Sequence, residues 1–236
     1  MKLLDLTLPT PAENLACDEA LLDAAEAGEI SDEVLRFWEA PTHFIVVGHA
    51  NRIATEVNDD VTLPVLRRCS GGGTVVQGPG CLNYALILRI PTDGPLAHVT
   101  GTNTFIMERM AAALRPLLGN ECAPRGTTDL ALGERKFSGN AQRRKRHWLL
   151  FHGTFLLNFD VTLIARWLKF PSRVPAYRQG RSHLDFVGNL PLSAATVTTA
   201  LRQAWQADAP LESVPHRRIA ALVASHYDRT EWNQKF

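Results

Sequence analysis

The segment Arg67-Arg68-Cys69-Ser70-Gly71-Gly72-Gly73-Thr74-Val75 joins two arginines, a hydroxyl group and three successive glycines directly after a β-rich run. Successive glycines let the backbone approach a ligand and aim N–H groups at an anion, and the arginines add forked cationic donors. The alternative is a glycine-rich turn that only connects strands. The segment lacks the G-K-[ST] ending of a P-loop and the G-x-G-x-x-G spacing of a dinucleotide fingerprint. We interpret it as an anion-binding loop of another kind.

Lys136 stands in a second polar segment, Gly133 to Gln142, whose pattern predicts a strand. The alternation could place its ammonium group on the same face as Ser138. A lysine on a strand is commonly a solvated edge or surface residue. Beside a phosphate or a developing oxyanion, a fixed cation instead stabilises the charge that appears in the transition state. Lys136 is therefore the candidate catalytic cation.

The run Arg143-Arg144-Lys145-Arg146-His147 carries concentrated positive charge between two predicted strands. It is either a solvated hairpin loop or a landing site for an acidic protein partner, whose approach the charge would accelerate. The run is short and lacks interleaved aromatic residues, so it does not indicate a nucleic-acid site.

His152 begins an apolar strand, and a histidine in such a place is more commonly a hydrogen-bonded structural group than a catalyst. Spacing alone declares neither a Ser-His-Asp set nor a Cys-His set.

The four cysteines, Cys17, Cys69, Cys81 and Cys122, show neither C-x-x-C spacing nor histidines at metal-ligand intervals. We expect reduced thiols and assign no metal to protein side chains. Each cysteine is then either a small buried apolar group or a reactive thiol whose environment sets its reactivity.

The elements that must position these residues are of mixed type. Helices are predicted at 14–25, 102–118, 161–168, 193–207 and 215–227, the first of them amphipathic with Asn14 as its N-cap. Strands are predicted at 34–38, 44–48, 65–68, 82–90, 129–132, 135–142 and 148–159. Because strands and helices do not alternate regularly, we predict an α/β (α+β) fold, a mixed β-sheet covered by helices, rather than a doubly wound parallel sheet.

The composition is that of an ordinary globular protein: 236 residues, 45% hydrophobic, 21% charged, with a formal net charge of +1. We expect one domain spanning 1–236, with no large C-terminal accessory domain, and a monomer by default. Nothing global points to nucleic acid, and no apolar run approaches the ~18 residues of a membrane span. Asp5, Pro9 and Pro11 interrupt the apolar core that a signal peptide would need, so we expect a cytoplasmic protein.

Taken in order, these segments resemble the lipoate–protein ligase and octanoyltransferase superfamily. The resemblance rests on the helix at 14–21, the strands at 35–38 and 46–48, the loop at 67–75 with Leu82-Asn83-Tyr84, Asp129-Leu130 with 135–142, and the segment 152–156. It covers roughly residues 14–160 and is specific as a constellation. It implies a mixed-sheet catalytic domain of the biotin/lipoate protein ligase type, which is similar to class II aminoacyl-tRNA synthetases.

The resemblance also implies roles for individual residues. Lys136 matches the lysine that contacts the acyl carbonyl and the adenylate phosphate in the family. The implied acyl- and nucleotide-binding residues are Arg68, Ser70, Gly71, Gly72, Gly73, Thr74, Val75, Val76, Asn83, Ser138, Gly139, Ala141, His152, Gly153 and Thr154.

A ligase of this family joins lipoate or octanoate to a carrier lysine through an acyl-adenylate, using ATP and Mg²⁺. The implied acceptor is a lipoyl carrier domain of a 2-oxoacid dehydrogenase complex or a glycine-cleavage H-type protein. Typical bacterial ligases also carry a small C-terminal accessory domain, and this chain ends about 75 residues after the last strong motif. The resemblance therefore implies either an accessory protein in trans or an enzyme that does not adenylate.

The octanoyltransferases of the same fold need no ATP and move octanoyl from acyl carrier protein through a cysteine thioester. Cys122, in the loop-like segment Asn120 to Pro124, is the possible nucleophile, fourteen positions before Lys136, where a nearby cation could favour the thiolate. The segment Arg125 to Leu130 is more similar to the Gly-Arg-Asn-Asp segment of ligases, so we favour the ligase. Biotin ligation is disfavoured, because the Arg-Arg-x-Ser-Gly-Gly-Gly loop is the lipoate type.

An alternative function, of a non-enzymatic class, is a binding module that holds a lipoyl domain without transferring an acyl group. Lys136 discriminates between the two, because a binding module has no need of a cation facing the acyl carbonyl.

Overall fold

The structure is a computed structural model that describes residues 1–171 and 173–236. Its strands are β1 (Lys2–Asp5), β2 (Val34–Trp38), β3 (Phe44–Val47), β4 (Val65–Arg67), β5 (Val75–Gln77), β6 (Cys81–Arg89), β7 (Cys122–Arg125), β8 (Asp129–Leu132), β9 (Arg135–Arg144), β10 (Trp148–Leu156) and β11 (Ala209–Pro210). Its α-helices are α1 (Pro11–Glu26), α2 (Ile53–Glu56), α3 (Val99–Leu118), α4 (Thr162–Trp167), α5 (His183–Phe186), α6 (Ala194–Trp205), α7 (His216–Leu222) and α8 (Thr230–Asn233). A π-helical turn, Val223–Tyr227, follows α7, and 3₁₀ turns form at Pro95–Ala97 and Ala176–Arg178.

The strands form one large and one small sheet. The large sheet has the order β11-β1-β2-β6-β10-β9-β8-β7, with β11, β1 and β2 parallel and the remaining pairs antiparallel. The small sheet has the order β4-β3-β5, parallel and then antiparallel. The predicted mixed sheet is confirmed, as is the prediction that the segments containing β8, β9 and β10 are neighbours in one sheet.

Helices cover both faces of the large sheet. On the face that we call the α3 face, Leu86 and Phe151 belong to a core that includes residues of α3 and α6. On the opposite face, the α1 face, Ala85 and Leu150 pack in a core with α1 and α7. This alternation of neighbouring residues is the period of two expected of strands that are covered on both sides. A third core joins the small sheet to α4 and α5.

Helix α1 begins earlier than predicted and is buried on most of its surface. Thr10 is its N-cap and forms a capping box with Glu13, so the prediction that Asn14 is the N-cap is wrong. Twelve of its sixteen residues are buried, Asp18 and Glu19 among them, so the helix is not the half-exposed amphipathic element that its acidic residues indicated. It is covered by the large sheet on one side and by α7 and the π-helical turn on the other.

The segment predicted as a loop around Cys122 is instead the edge strand β7. Cys122 pairs with Leu132 of β8, and its side chain joins the core on the α3 face. The short strand β1, which had no counterpart among the predicted elements, pairs with β2 and extends the sheet on the other side.

Candidate active site

The glycine-rich loop, which we define as residues 70–74, is folded around the guanidinium group of Arg68. Nη2 of Arg68 donates to the carbonyl oxygens of Gly71 and Gly73 at 2.6 and 2.7 Å, and Nε donates to Oγ of Ser70 at 3.1 Å. Arg68 is 8% exposed, and no carboxylate of the described ranges lies within ion-pair distance of it. Burial lowers the pKa of Arg68 to about 10, which still leaves the group protonated at neutral pH. The loop therefore encloses a positive charge that no anion compensates.

The carbonyl and N–H groups of the loop have different partners. The carbonyls of Gly71 and Gly73 face Arg68, and the carbonyl of Ser70 accepts from the backbone N–H of His49 at 2.8 Å. The residues Gly71, Gly72 and Gly73 are exposed, and within the described part of the chain their N–H groups reach no acceptor. Free N–H groups beside a buried cation form an anion-binding concavity. This arrangement favours the anion-binding interpretation of the loop over a plain connecting turn.

Gly72 is the glycine that this geometry requires. Its φ is +91°, a conformation that other residues rarely adopt. A Cβ at Gly72 would lie 2.8 Å from Nη2 of Arg68 and 3.3 Å from Cβ of Ala141. The close approach of Gly72 to Ala141 places the loop directly against strand β9.

Two adjacent rows of cross-strand partners cross the α1 face of the large sheet beneath the loop. The first row consists of Asn83, Thr154, Gly139 and Asp129, and the second of Ala85, His152 and Ala141. Positions two residues apart on a strand share a face, so both rows point toward α1 and the loop. The fold thus gathers most of the predicted strand residues of the site on one surface.

The side chain of Lys136 extends along this surface. Its Nζ lies 2.7 Å from Oδ1 of Asp129 and 2.9 Å from the place that a Cβ on Gly139 would occupy. Tyr177, from a 3₁₀ turn, donates its hydroxyl to Oδ2 of Asp129 at 2.8 Å. Burial and the carboxylate of Asp129 raise the pKa of Tyr177, so the phenol remains a donor. The ammonium group is therefore held over the first row by an oriented, partly exposed carboxylate.

The prediction that Lys136 shares a face with Ser138 is wrong. Leu130 pairs with Ser138, but Ala131 pairs with Lys136, so β9 has one extra residue, Phe137, opposite β8. Such a bulge reverses the alternation of side chains along a strand. It turns Lys136 to the α1 face, while Ser138 points to the α3 face.

Ser138 and Gly153 support the site from behind. The amide of Asn140 lies where a Cβ on Gly153 would stand, on the α3 face. Its Oδ1 accepts from the hydroxyls of Tyr84 at 2.7 Å and Ser138 at 3.3 Å, and its Nδ2 donates to the carbonyl of Thr128 at 2.7 Å. These bonds position the turn before β8, and neither Ser138 nor Gly153 contributes a side chain to the surface under the loop.

Asn83 and Thr154 form a polar cluster with Gln77 at one end of the first row. Oγ1 of Thr154 donates to Oδ1 of Asn83 at 2.6 Å and accepts from Nε2 of Gln77 at 2.6 Å. Oε1 of Gln77 is buried and has no partner among the described residues. Gln77, which the motif analysis did not single out, thereby joins the candidate site.

His152 lies under the loop in the second row and is hydrogen bonded on both ring nitrogens. Nε2 lies 2.6 Å from Oγ of Ser70, and Nδ1 lies 3.1 Å from Oδ2 of Asp18. The prediction of a hydrogen-bonded histidine is confirmed. The fold also brings together Ser70, His152 and Asp18, a Ser-His-Asp set that residue spacing could not indicate.

The remaining predicted loop residues have smaller side-chain roles. Oγ1 of Thr74 accepts a long hydrogen bond of 3.4 Å from Asn51. Val75 and Val76 pair with β3, and the side chain of Val76 is 2% exposed in the core of the small sheet. Val76 can therefore reach a ligand only through its backbone.

The basic run at 143–147 is largely occupied by contacts within the protein. Nη1 of Arg143 donates to the carbonyl of Cys69 at 2.7 Å, and Nη2 of Arg144 donates to the carbonyl of Leu96 at 2.8 Å. Nζ of Lys145 lies 2.5 Å from Oδ1 of Asp23. Three of its cations are thus held by contacts within the protein, whereas Arg146 and His147 are exposed. A landing site for an acidic partner stays a prediction.

All four cysteines are buried, Cys122 at 0% exposure. Burial raises the pKa of Cys17 to about 12 and that of Cys122 to about 11, and it raises the pKa values of Cys69 and Cys81 as well. The thiols are protonated at neutral pH and closed to solvent. The geometry places no reactive thiolate in the candidate site.

The described ranges lack two kinds of feature. They contain no cluster of three or more His, Cys, Asp or Glu side chains able to hold a metal ion. None of their helices combines the length and apolarity that crossing a membrane requires.

Sequence reasoning missed Asp18, Arg36, Gln77, Asp129 and Tyr177 as parts of this site. One usable signal was present, because Asn14 and Asp18 stand four positions apart on a helix rich in Ala and Leu, while Arg36 interrupts an apolar strand. Opposite charges embedded in two apolar elements indicate a buried ion pair. Tyr177 had no comparable signal.

Known proteins are similar to this chain in both sequence and fold. The family described as lipoyl protein ligase A/B catalytic domain matches residues 10–205. A putative lipoate-protein ligase A of Aeropyrum pernix is 32% identical over 221 residues, which span 91% of this chain and 78% of that protein. The octanoyltransferase LipM of Brevibacillus brevis is 24% identical in an alignment that covers 95% of each chain.

Solved structures resemble the fold over nearly its whole length. The bipartite lipoate protein ligase of Thermoplasma acidophilum, described together with its E2 lipoyl domain, superposes with a TM-score of 0.82 at 24% identity, covering 99% of this chain and 95% of that one. A lipoate-protein ligase A bound with ATP gives a TM-score of 0.78 at 24% identity, covering 99% and 98%. At this level of identity, the likeness concerns the fold.

Proposed function

The chain belongs to the lipoyl protein ligase A/B catalytic domain family, which makes it an enzyme of the lipoate-protein ligase and octanoyltransferase type, and we propose that it is the ligase. In this proposal it activates lipoate or octanoate with ATP to an acyl-adenylate and transfers the acyl group to a lysine of a lipoyl carrier domain.

The observation that most supports this proposal is the guanidinium group of Arg68, whose charge no carboxylate of the described residues compensates. It lies beside the free N–H groups of Gly71, Gly72 and Gly73, and the loop packs against the surface that holds Lys136. Buried cations and fixed N–H dipoles stabilise negative charge most strongly where water is excluded. An acyl-adenylate presents such charge twice, on its phosphate and on the carbonyl oxygen as it reacts. The arrangement suits that intermediate better than it suits passive binding of a neutral carrier surface.

Two displacements complete the proposed reaction. The carboxylate oxygen of the fatty acid attacks the α-phosphorus of ATP, and pyrophosphate leaves with the electron pair of the broken P–O bond. The neutral amine of the carrier lysine then attacks the acyl carbon, the C–O bond to phosphate breaks, AMP leaves, and the amine proton passes to solvent. Lys136 exchanges its contact with Asp129 for the phosphate and the acyl carbonyl oxygen in both steps.

The thiols support the ligase over the transferase. A thioester route needs an accessible cysteine with a substantial thiolate fraction. Burial of Cys122 within the core, with its pKa raised to about 11, works against both requirements. The similarity to an octanoyltransferase over 95% of the chain keeps octanoate among the proposed acyl groups.

ATP enters this proposal as a substrate, and the ligand named with a related structure is ATP itself. Magnesium usually binds through phosphate oxygens, waters and one or two carboxylates. The described residues form no cluster able to hold a metal ion on their own, so we propose that Mg²⁺ arrives with the nucleotide.

We propose a lipoyl carrier domain of a 2-oxoacid dehydrogenase complex or an H-type protein as the acceptor. The related ligase of Thermoplasma acidophilum is described as bipartite and with its E2 lipoyl domain. By analogy, the present chain acts as one catalytic domain whose accessory protein is supplied in trans.

The test is the mass of an apo lipoyl domain after incubation with the protein. One reaction contains ATP, Mg²⁺ and lipoate or octanoate, and another contains octanoyl-acyl carrier protein without ATP. We expect a mass gain only with ATP, and we expect Cys122→Ser to retain that gain. A gain only without ATP, abolished by Cys122→Ser, would establish the transferase instead.

If neither reaction modifies the acceptor, ATP–pyrophosphate exchange separates the remaining cases. Exchange that depends on lipoate or octanoate would indicate a ligase that lacks its accessory protein. Absence of exchange together with tight binding of the lipoyl domain would establish the binding module and end the ligase proposal.

A further inference from the structure

Four buried side chains are linked in series, from Arg36 of β2 through Asp18 of α1 and His152 of β10 to Ser70 of the glycine-rich loop. Nη1 of Arg36 lies 2.6 Å from Oδ1 of Asp18, and Oδ2 of Asp18 lies 3.1 Å from Nδ1 of His152. Nε2 of His152 lies 2.6 Å from Oγ of Ser70. None of the four residues is more than 8% exposed. The series therefore connects the glycine-rich loop to β2, which lies two strands from β10 in the large sheet.

The direction of each hydrogen bond follows from the charge on Asp18. Burial by itself would raise the pKa of Asp18, but the charge of Arg36 and the hydrogen bonds from His152 and Arg36 outweigh burial and hold that pKa below its ordinary value. An ionised carboxylate only accepts, so Nδ1 of His152 donates to it. A neutral imidazole has one N–H group, so Nε2 accepts the hydroxyl proton of Ser70.

Ser70 links His152 to Arg68 through two hydrogen bonds. Its oxygen accepts from Nε of Arg68 at 3.1 Å while its proton goes to His152. The guanidinium is thereby oriented so that Nη2 meets the carbonyls of Gly71 and Gly73. A proton on Nε2 of His152 would give the Ser70 oxygen two donors and leave its own proton with no acceptor among the described residues. The neutral imidazole with its proton on Nδ1 is the state that satisfies every group.

We propose that Asp18 is a positioning residue of this enzyme: through the tautomer of His152 and the hydroxyl of Ser70, it holds Arg68 and turns the loop carbonyls away from the ligand. The N–H groups of Gly71, Gly72 and Gly73 then remain free for an anionic ligand. The inference rests on the proposed function only for the identity of that ligand, a carboxylic acid with a nucleoside triphosphate.

A Ser-His-Asp set also invites a different interpretation, a nucleophilic serine. Ser70 is 1% exposed, and its oxygen is bonded on both sides, to Arg68 and to His152. A nucleophilic serine needs an open approach to its oxygen beside an oxyanion site. The set is therefore assigned to positioning, and covalent labelling of Ser70 by a fluorophosphonate probe would overturn that assignment.

The direct test is the tautomer of His152 in the wild-type protein, measured by ¹⁵N NMR of the imidazole groups at neutral pH. The chain has eight histidines, and the signals of His152 are assigned by their loss in His152→Gln. The expected result is a neutral ring with its proton on Nδ1. A ring protonated on Nε2, or on both nitrogens, would overturn the proposal. This readout needs no activity, so it stands even if the proposed function fails.

Asp18→Asn tests the consequence. Its amide oxygen can still accept from Arg36, while its NH₂ group faces Nδ1 of His152 and drives the proton to Nε2. We expect the His152 signals to change tautomer and the amide hydrogens of residues 71–74 to exchange faster. In ATP–pyrophosphate exchange we expect KM for ATP to rise at least about tenfold, with a smaller change in kcat, because ground-state binding by the loop is what weakens.

Glu19→Gln is the matched control, since Glu19 is the next residue of α1, is also buried, and accepts a hydrogen bond from Tyr227. It should leave the His152 tautomer and the KM for ATP unchanged, even if stability falls. Equal effects of Asp18→Asn and Glu19→Gln on KM and on loop exchange would mean that Asp18 acts only on stability, and the proposal would be wrong. If Asp18→Asn does not fold, His152→Gln, whose amide can bridge Ser70 and Asp18, should retain more activity than His152→Ala.

Discussion

Nζ of Lys136 lies 2.7 Å from Oδ1 of Asp129, so the candidate catalytic lysine is held by a carboxylate before any ligand arrives. The pair is only partly buried, with 27% and 12% of the two side chains exposed. Tyr177 also donates to Asp129, so the carboxylate keeps a hydrogen-bond donor when the ammonium group leaves it. The ammonium group can therefore move to an anionic ligand at low cost, while its resting position is already defined.

Lys136→Ala should abolish most activity without unfolding the protein. Removing one charge-stabilising donor from an active site costs roughly 10²–10³ in rate. We expect a loss of that order in ATP–pyrophosphate exchange and in acyl transfer to the lipoyl domain. Lys145→Ala is the matched control, because Lys145 pairs with Asp23 at comparable side-chain exposures of 29% and 23%, away from the loop. Equal losses in both variants would contradict the catalytic role of Lys136.

Gly72→Ala and Gly71→Ala form a pair of adjacent substitutions with unequal expected effects. At Gly72 the new methyl group meets Nη2 of Arg68 at 2.8 Å, and the backbone stands at a φ of +91°, whereas at Gly71 no atom lies within 4 Å. The strain at Gly72 is on the order of 1–2 kcal/mol before any shift of Arg68. We expect KM for ATP to rise about tenfold or more for Gly72→Ala, and by much less for Gly71→Ala. Steady-state kinetics would contradict this geometry if the order were reversed.

Many helices and strands of the scaffold could be predicted from the sequence because the patterns that indicate them are local. The helix α3 and the strands β6, β8, β9 and β10 have apolar periodicities that survive in the fold. Glycine runs and clustered arginines mark the loop for the same reason, since their chemistry is declared by neighbouring residues.

The rest of the site depends on pairings that no local pattern encodes. The extra residue at Phe137 exists only relative to the partner strand β8, and it decides which face Lys136 occupies. Asp18 and Ser70 are far apart in the chain, and only the crossing of α1 over β10 brings both to His152. Cys122 was predicted to lie in a loop-like segment, Asn120 to Pro124, yet Pro124 stands in an edge strand, where a missing N–H is tolerated.

The buried thiols predict a loss of stability at alkaline pH. The pKa of Cys122 is about 11 and that of Cys17 about 12 in the folded protein, against an ordinary value of 9.0. A raised pKa means that folding favours the protonated thiol, so this stabilisation is complete below pH 9.0 and is lost as the pH rises through about 11 to 12. Each thiol contributes a slope of at most about 1.4 kcal/mol per pH unit in this window.

The measurement is the free energy of unfolding in urea between neutral pH and about pH 11, for the wild type and Cys122→Ser. Whatever the absolute stability of the variant, its decline in stability above pH 9.0 should be shallower, by up to the slope that one thiol contributes. Identical slopes of stability against pH would mean that burial does not keep the Cys122 thiol protonated, and a thioester role for Cys122 would regain support.

Arg67 should be a larger contributor to stability than any exposed ion pair. The guanidinium is fully buried, and its nitrogens lie 2.8–3.2 Å from the carbonyl oxygens of five residues: Gly48, His49, Asn51, Trp232 and Asn233. Lysine has three donors on a single nitrogen and cannot reach all five carbonyls. An unpaired buried acceptor costs about 1–3 kcal/mol.

Arg67→Lys should therefore lower the free energy of unfolding by roughly 2–5 kcal/mol, measured by urea titration. Because two of the carbonyls belong to Trp232 and Asn233, amide exchange should accelerate in the segment 230–236 as well as at 48–51. Arg217→Lys, at an exposed position, is the control and should change stability by no more than about 0.5 kcal/mol. A loss confined to the 48–51 loop, with the C-terminal segment unaffected, would mean that Arg67 does not tie the two together.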